Sequence, residues 1–143
     1  MKKVRALLEG KSGNVWSVSP NDSVYDAIAM MAEKNIGAVL VMEEDKLVGV
    51  MSERDYARKV ILAGHSSKET SVSAVMTERV IFVKPHETVE ECMALMTERR
   101  IRHLPVMEEG KLLGVVSIGD LVKAVISEQQ FMIEQLENYI TGG

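Results

Sequence analysis

Hydrophobic and polar positions follow each other in the same order twice along the chain. In the first block, apolar residues recur every three or four positions after Ser23, which predicts a helix with one buried face. Short apolar runs at residues 38–42 and 47–51 are typical of buried strands, and the polar residues 43–46 between them predict a hairpin. A second helix is predicted to begin near Ser52. The apolar face of the first helix consists of Val24, Ala27, Ile28 and Met31.

The second block predicts the same elements. Its first helix follows Thr88, its strands cover residues 104–107 and 112–116, and its second helix begins near Ser117. The apolar face of its first helix consists of Val89, Cys92, Met93 and Met96. Ser23 and Thr88 are the expected N-caps, and an acidic residue three positions after each one completes a capping box. These acidic partners are Asp26 and Glu91.

The two blocks are copies of one another. When the chain is shifted by 65 positions, residues 18–61 lie over residues 83–126 without a gap. The stretch Val41-Met42-Glu43-Glu44 returns unchanged at residues 106–109. Other identical pairs are Pro20 and Pro85, Gly49 and Gly114, Ser52 and Ser117, and Asp55 and Asp120. The chain is therefore a tandem duplication of a β-α-β-β-α unit of about 60 residues.

The size of one repeat determines the expected architecture. A unit of this length buries too little apolar surface to be stable alone, so we expect an α+β fold in which the two repeats pack about a pseudo-twofold axis. Gly64 ends the second helix of the first repeat and precedes the connection to the next. The predicted domains are residues 1–70, with the N-terminal segment, residues 71–126, and a C-terminal helical extension at residues 127–143.

Composition and charge exclude several classes of protein. The apolar share is 46% and the charged share 27%, which are values of an ordinary globular protein rather than a disordered chain. The formal net charge of −4 gives no positive field for nucleic acid or for an anionic membrane. The sequence has one cysteine, no apolar run of about 18 residues and no signal peptide. These features predict a cytoplasmic protein.

Candidate chemistry lies where the last strand of each repeat runs into a helix, at Gly49–Asp55 and at Gly114–Asp120. We name these segments the Ser52 start and the Ser117 start. The beginning of a helix offers unpaired backbone N–H groups and the positive end of a dipole, which attract an anion. The serine hydroxyl can add a hydrogen bond, and the aspartate can accept hydrogen bonds from both hydroxyls of a ribose. The same Ser-x-x-Asp spacing also forms a capping box without any ligand, so both interpretations stay open.

The duplicated unit that ends in Gly-hydrophobic-x-Ser-x-x-Asp resembles the CBS domain, and the pair resembles a Bateman module. The resemblance extends over residues 15–126, and residues 102–106 (RHLPV) resemble the beginning of the family's second strand. It implies two clefts between the repeats that bind adenosine-containing ligands, commonly AMP, ADP, ATP, NAD or S-adenosylmethionine. It also implies a homodimer, to which the apolar stripe Ile133, Leu136 and Ile140 of the extension would contribute buried area.

The resemblance also implies which residues line the clefts, because the aspartate of one repeat faces the second strand of the other. The first implied cleft combines Ser52, Arg54, Asp55, Arg102 and His103, with Thr77, Val80 and Ile81 on its adenine side. The second combines Ser117 and Asp120 with Ile36, Gly37 and Ala38, flanked by Val15 and Trp16, where Trp16 either packs or stacks on a base. Arginine and histidine suit phosphate groups, so the first cleft is predicted to bind phosphate-bearing ligands first. The second is predicted to take a nucleoside, a less charged ligand or nothing.

The sequence favours a binding module over an enzyme. It contains no nucleophile and base in a recognisable arrangement, no Cys and His spacing of a zinc site, and no P-loop. Cys92 falls on the core-facing side of its helix and is expected to be a packed thiol. The favoured hypothesis is a regulatory or sensor module that acts on an unidentified protein. The alternatives are a structural or partner-binding pair without a physiological nucleotide and, third, an enzyme.

Overall fold

The computed structural model describes residues 2–9 and 15–141, which form two compact units. The first unit contains residues 15–81 and 109–112, and the second contains residues 2–9, 82–108 and 113–141. The helices are α1 (Val4–Glu9), α2 (Val24–Lys34), α3 (Glu53–Tyr56), α4 (Val89–Arg99) and α5 (Ile118–Thr141). The strands are β1 (Ser17–Val18), β2 (Ala38–Glu43), β3 (Lys46–Ser52), β4 (His103–Glu108) and β5 (Lys111–Ser117). This mixture confirms the predicted α+β class.

A three-stranded sheet and helix α2 form the core of the first unit. Strand β1 is parallel to β2, and β2 is antiparallel to β3, in the order β1-β2-β3. Helix α2 begins as predicted, because the Ser23 hydroxyl accepts a hydrogen bond from the Asp26 N–H at 3.1 Å. The buried core includes Val24, Ala27, Met31, Val39, Val41, Met51, Val60 and Val72. The predicted apolar face of the helix therefore packs on the predicted strands.

The second unit contains the hairpin of β4 and β5 together with helices α4 and α5. In place of a complete first strand, Val83 forms a single parallel bridge with Val106. Helix α4 has the predicted capping box, in which the Thr88 hydroxyl accepts from the Glu91 N–H and the Glu91 carboxylate accepts from the Thr88 N–H. Helix α5 is continuous over 24 residues, from Ile118 to Thr141.

Both hairpins turn through two residues that have positive φ. In the first hairpin, φ is 48° at Glu44 and 66° at Asp45, and in the second it is 51° at Glu109 and 77° at Gly110. Positive φ at both central residues is the geometry of a type I′ turn, which matches the twist of the paired strands. The sequence did not predict this turn type, because only Gly110 among these residues favours positive φ.

The segment that precedes each repeat in the sequence packs on the other repeat. The backbone of Thr70 and Val72 forms hydrogen bonds with Val24 and Asp22, both 2.9 Å long, within the first unit. The corresponding bonds in the second unit join Lys2 to Val89 and Val4 to Glu87, also at 2.9 Å. Residues 2–9 therefore belong with the second repeat and residues 70–77 with the first. The unit boundaries differ in this respect from the predicted domains 1–70 and 71–126.

These flanking segments explain the glycine of the duplicated motif. A Cβ atom added to Gly49 would lie 2.7 Å from Met76 Sδ and 3.0 Å from the Thr77 carbonyl oxygen. A Cβ added to Gly114 would lie 2.8 Å from Leu8 Cδ2. Such distances are shorter than van der Waals contact. A side chain at Gly49 would press on the Thr77 backbone, whereas at Gly114 the Leu8 side chain would have to shift. The repeated glycine thus has a packing role in both units.

Candidate functional site

At the Ser52 start, β3 leads directly into α3. Ser52 and Asp55 form the capping box that their spacing allows. The Ser52 N–H and hydroxyl both donate to Asp55 Oδ2 at 3.0 Å, and the Asp55 N–H donates to the Ser52 hydroxyl at 3.1 Å. The other carboxylate oxygen, Oδ1, lies 3.3 Å from Lys59 Nζ. The Asp55 side chain is 16% exposed. Its carboxylate is therefore held in one orientation by its own helix start and by a lysine one turn further along.

The Ser117 start repeats this geometry in the second unit. The Ser117 N–H donates to Asp120 Oδ2 at 2.8 Å, and the Asp120 N–H donates to the Ser117 hydroxyl at 3.1 Å. Asp120 is half-buried, like Asp55. The capping explanation of the Ser-x-x-Asp spacing consequently holds in both repeats.

The expectation that these helix starts present unpaired N–H groups is wrong at several positions. The first helical N–H of the Ser52 start, on Glu53, donates to the Gly37 carbonyl at 3.0 Å. The first helical N–H of the Ser117 start, on Ile118, donates to the Arg102 carbonyl at 2.8 Å. The N–H groups of Asp55 and Asp120 are used by the serine caps. The strand and the cap satisfy these donors, so an anion at either start would depend more on side chains than on these backbone groups.

The same contacts place the beginning of each second strand beside the helix start of its own repeat. Gly37 contacts the Ser52 start through Glu53, and Ala38 pairs with Ser52 across β2 and β3. Ile36, which is half-buried, precedes them. In the second unit, Arg102 is exposed and the neighbouring His103 is half-buried. The predicted grouping of Arg102 and His103 with Asp55 joins residues of different units and stays a prediction.

The residues predicted to surround the adenine lie in the first unit. Thr77 pairs with Val50 of β3 through backbone hydrogen bonds of 2.8 and 3.0 Å, two residues before Ser52. Val80 and Ile81 follow and are half-buried, and Arg54 is exposed on α3. The structure therefore brings Thr77 to the strand that ends in the Ser52 start.

Trp16 lies beside Val15 before β1 and is 39% exposed. Lys34 Nζ stands 4.1 Å from the centroid of its ring, a cation–π contact that occupies one face of the indole. Val15 is half-buried. This contact supports a packing role for Trp16 and leaves at most the other face for stacking.

Two lysines near the aspartates were missed by sequence reasoning. Lys59 contacts Asp55, as described above, and Lys123 lines an open depression of about 560 Å³ at the Ser117 start. The other residues around this depression are Ser117, Ile118, Gly119, Asp120, Val122 and Ile126. The signal was present in the spacing, because residues three or four positions apart share one helix face. The depression at Asp120 thus has a cation, Lys123, where the sequence predicted none.

The environment of Cys92 favours a packed thiol over a nucleophile. Cys92 is fully buried, and burial, with smaller contributions from Glu87 and Glu91, raises the pKa of its thiol to about 11. A thiol with this pKa is neutral near pH 7 and is a poor nucleophile. Within residues 2–9 and 15–141, no group of three His, Cys, Asp or Glu side chains could hold a metal ion.

Comparison with known families agrees with this duplicated architecture. The sequence model described as the CBS domain matches the chain twice, at residues 11–61 and 72–127. The chain belongs to the CBS-domain family. Pairs of CBS domains generally occur in regulatory and signal-transduction proteins.

Relatives with the same domain pair cover nearly the whole chain. The CBS domain-containing protein CBSX3, mitochondrial, of Arabidopsis thaliana is 43% identical over 94% of this chain and 69% of its own length. The CBS-domain containing protein ATU1752 from Agrobacterium tumefaciens has a crystal structure that is 38% identical, with a TM-score of 0.79. That match covers 86% of this chain and 98% of the other. The hexameric CBS-CP12 protein of bloom-forming cyanobacteria is 28% identical over 84% of this chain and 66% of its own, with a TM-score of 0.70.

Among the described residues, no helix combines the length and the apolar character needed to cross a bilayer. Even α5, the longest helix at 24 residues, carries charged side chains along its length.

Proposed function

We propose that this CBS pair is a regulatory sensor that binds an adenosine-containing ligand, such as AMP, ADP, ATP or NAD, without catalysis. The observation that carries the proposal is the pair of half-buried aspartates, Asp55 and Asp120, each held in the same orientation at a helix start. A carboxylate that is already oriented loses little conformational freedom when it accepts the two hydroxyls of a ribose. The family to which the chain belongs supports the ligand class.

Capping leaves the aspartate with acceptor capacity for a ligand. An ionised carboxylate has about four lone-pair sites. At the Ser52 start the cap uses Oδ2, whereas Oδ1 has Lys59 as its described contact. We propose that ribose hydroxyls bind at Oδ1 beside Lys59, whose Nζ also donates to the Val75 carbonyl at 3.0 Å and keeps that bond when Oδ1 accepts a ligand.

We propose that each cleft combines residues of both repeats, as the family resemblance implies. The first would combine the Ser52 start with Arg102 and His103, and the second would combine the Ser117 start with Gly37 and Ala38. Two arginines, Arg54 and Arg102, would give the first cleft charge-assisted hydrogen bonds to phosphate. The arginines are exposed in their own units and thus accessible to a ligand.

The test separates ligand binding from capping. Asp55→Ala should lower the affinity for an adenosine ligand at least ~10-fold, because a hydrogen bond to a charged group contributes roughly 1.5–3 kcal/mol. Glu91→Ala is the matched control, since Glu91 completes an equivalent capping box at Thr88 in α4. Both variants should lose a small and similar amount of stability, because each removes the acidic partner of one capping box. The measurement is the ligand-induced rise in Tm over a panel of AMP, ADP, ATP, NAD and S-adenosylmethionine.

A second candidate function follows from the capping boxes themselves. They account for Ser52 and Asp55 without any ligand, as a structural or partner-binding CBS pair would require. If no ligand of the panel raised the Tm of the wild-type protein, this second function would replace the first.

We further propose that the sensor is a homodimer that acts on a protein partner in the cytoplasm. Family resemblance supports the assembly, and the cyanobacterial relative is a hexamer, so related pairs do associate. The Arabidopsis relative is named as mitochondrial, so the compartment is a separate question for each member. Light scattering of the purified chain tests the assembly directly.

A further inference from the structure

Helix α5 carries an apolar stripe that continues beyond the body of the second unit. Every side chain from Gln129 to Thr141 is exposed, including Leu136 at 60% and Ile140 at 81%. The stripe of Ile133, Leu136 and Ile140 extends back along the same face to Val122 and Ile126, with the polar Gln129 at the one position between them. These positions alternate in steps of four and three residues, which is the spacing of a helix that packs along another helix. Such a face exposes more apolar surface than a helix in water normally does.

The charges beside the stripe identify what can cover it. Lys123 and Glu137 lie on the same flank, because they are 14 residues apart, or two seven-residue repeats. Gln130 lies midway between them. If a second copy of α5 runs in the opposite direction with Gln130 near the symmetry axis, Lys123 of each copy faces Glu137 of the other. The flank is therefore complementary to itself in the antiparallel direction.

We propose that α5 pairs in an antiparallel direction with α5 of a second copy of this chain. In this register Val122 meets the partner's Ile140, Ile126 meets the partner's Leu136, and Gln129 meets the partner's Ile133. Each layer thus joins positions of the stripe, as a twofold interface requires. The inference rests on the homodimer part of the proposed function. Val122, Lys123 and Ile126 also line the depression at the Ser117 start, so dimerisation is measured in the absence of nucleotide.

A parallel pair would lack this complementarity. In a parallel arrangement the flanking contacts join Val125 to the partner's Gln130 and Met132 to the partner's Glu137, which are not charge pairs. An anionic membrane surface is also a poor partner, because the segment 124–141 carries Glu128, Glu134 and Glu137 and no Lys or Arg. A second copy is the occupant that both the apolar spacing and the charges fit.

The first experiment breaks the stripe. Wild-type protein should have about twice the chain mass of 15.9 kDa in light scattering at micromolar concentration. Ile133→Glu/Leu136→Glu should reduce the mass to that of one chain. The control Gln135→Glu/Asn138→Glu adds the same charge on the other side of the same exposed turns and should remain dimeric. A monomeric wild type would overturn the proposal, and so would an Ile133→Glu/Leu136→Glu protein that remains dimeric.

The second experiment tests the direction in which the two helices pair. Gln130→Cys should be cross-linked to its own copy by a short bis-maleimide, whereas Ile140→Cys should not, since helical rise separates the two copies of residue 140 by about 27 Å in the proposed register. Cys92 is buried and does not compete. Lys123→Glu should weaken the dimer, and adding Glu137→Lys should restore it. Cross-linking at residue 140 in place of residue 130, or failure of the charge exchange to restore dimerisation, would refute the antiparallel pair.

Neither experiment uses nucleotide. A negative result would therefore refute the helix pairing and leave the ligand proposal untouched. A protein could bind AMP as a monomer, and a dimer could form without any ligand. The thermal-shift panel decides the first question, and the mass and cross-linking measurements decide the second.

Discussion

The Ser52 start and the Ser117 start are copies of one sequence motif that share a cap and differ in their surroundings. In both, the serine N–H donates to the aspartate, at 3.0 Å in one and 2.8 Å in the other. After Ser52, however, α3 continues for four residues and passes into a π-helical turn at Ala57–Ile61, whereas α5 continues for 24 residues. The residue beside the first start is Gly37, directly before β2, and beside the second it is Arg102, directly before β4. Duplication has preserved the orientation of the carboxylate, while charge and helix length have diverged.

The largest expected effect of this divergence is on phosphate binding. If Arg102 serves the Asp55 cleft, Arg102→Ala should weaken AMP binding by about 10- to 100-fold, since charge-assisted hydrogen bonds are lost, and should leave adenosine binding unchanged. Asp120→Ala should leave the tight AMP site intact. Calorimetric titration of both ligands into both variants measures these affinities, and the AMP affinity should fall as salt is raised.

The contrary result is equally informative. In the second unit the Arg102 carbonyl contacts the Ser117 start through Ile118. If Asp120→Ala abolished tight AMP binding and Arg102→Ala did not, the assignment of the arginines to the Asp55 cleft would be wrong. Lys123, which lines the depression at Asp120, would then be the first cation to test.

Local patterns predicted the elements of the fold well and their long-range partners poorly. The apolar run 38–42 became β2 at Ala38–Glu43, and the helix after Thr88 became α4 at Val89–Arg99. Periodicity and caps are properties of neighbouring residues, so they can be read from the sequence. The exchange of residues 2–9 and 70–77 depends on distant contacts and was missed. The sequence signal for this exchange is a weaker repeat between the two flanking segments. In it Val4 and Ala6 match Val72 and Ala74 at a shift of 68 residues rather than 65.

At the candidate site too, local contacts were predicted and long-range contacts were not. The spacing predicted the Ser52 and Asp55 contact, because both residues lie in one turn. The use of the Glu53 N–H by the Gly37 carbonyl was not predictable, since it requires the register of β2 against β3. Spacing alone also cannot show whether an aspartate cap binds a ligand, because the cap is complete in either case.

The flanking segments 2–9 and 70–77 should contribute equally to the stability of their units. Truncating a buried side chain in either one is the prediction of intermediate size. Val4 and Val72 are both fully buried and make equivalent backbone bonds. Val4→Ala and Val72→Ala should each lower the free energy of unfolding by about 2 kcal/mol, because each removes buried methyl groups and leaves a cavity. Urea denaturation measures the loss, and the exposed alanines provide the controls Ala6→Ser and Ala74→Ser. A near-zero effect at Val4 alone would show that the N-terminal segment does not pack as its counterpart does.

The smallest expected effect concerns the cap of α4 and its dependence on pH. Hydrogen bonds from the Thr88 N–H and hydroxyl lower the pKa of Glu91 below its ordinary value of 4.5. Because the folded protein favours the ionised form, this cap stabilises the fold above the unfolded pKa, and the contribution is lost as the pH falls through the folded pKa. Glu91→Gln should therefore lower the Tm slightly at pH 7, and the difference from wild type should shrink as the pH falls below about 4.5. Glu98→Gln controls for the loss of one negative charge. A difference that stayed constant down to pH 3 would show that Glu91 stabilises α4 without its charge.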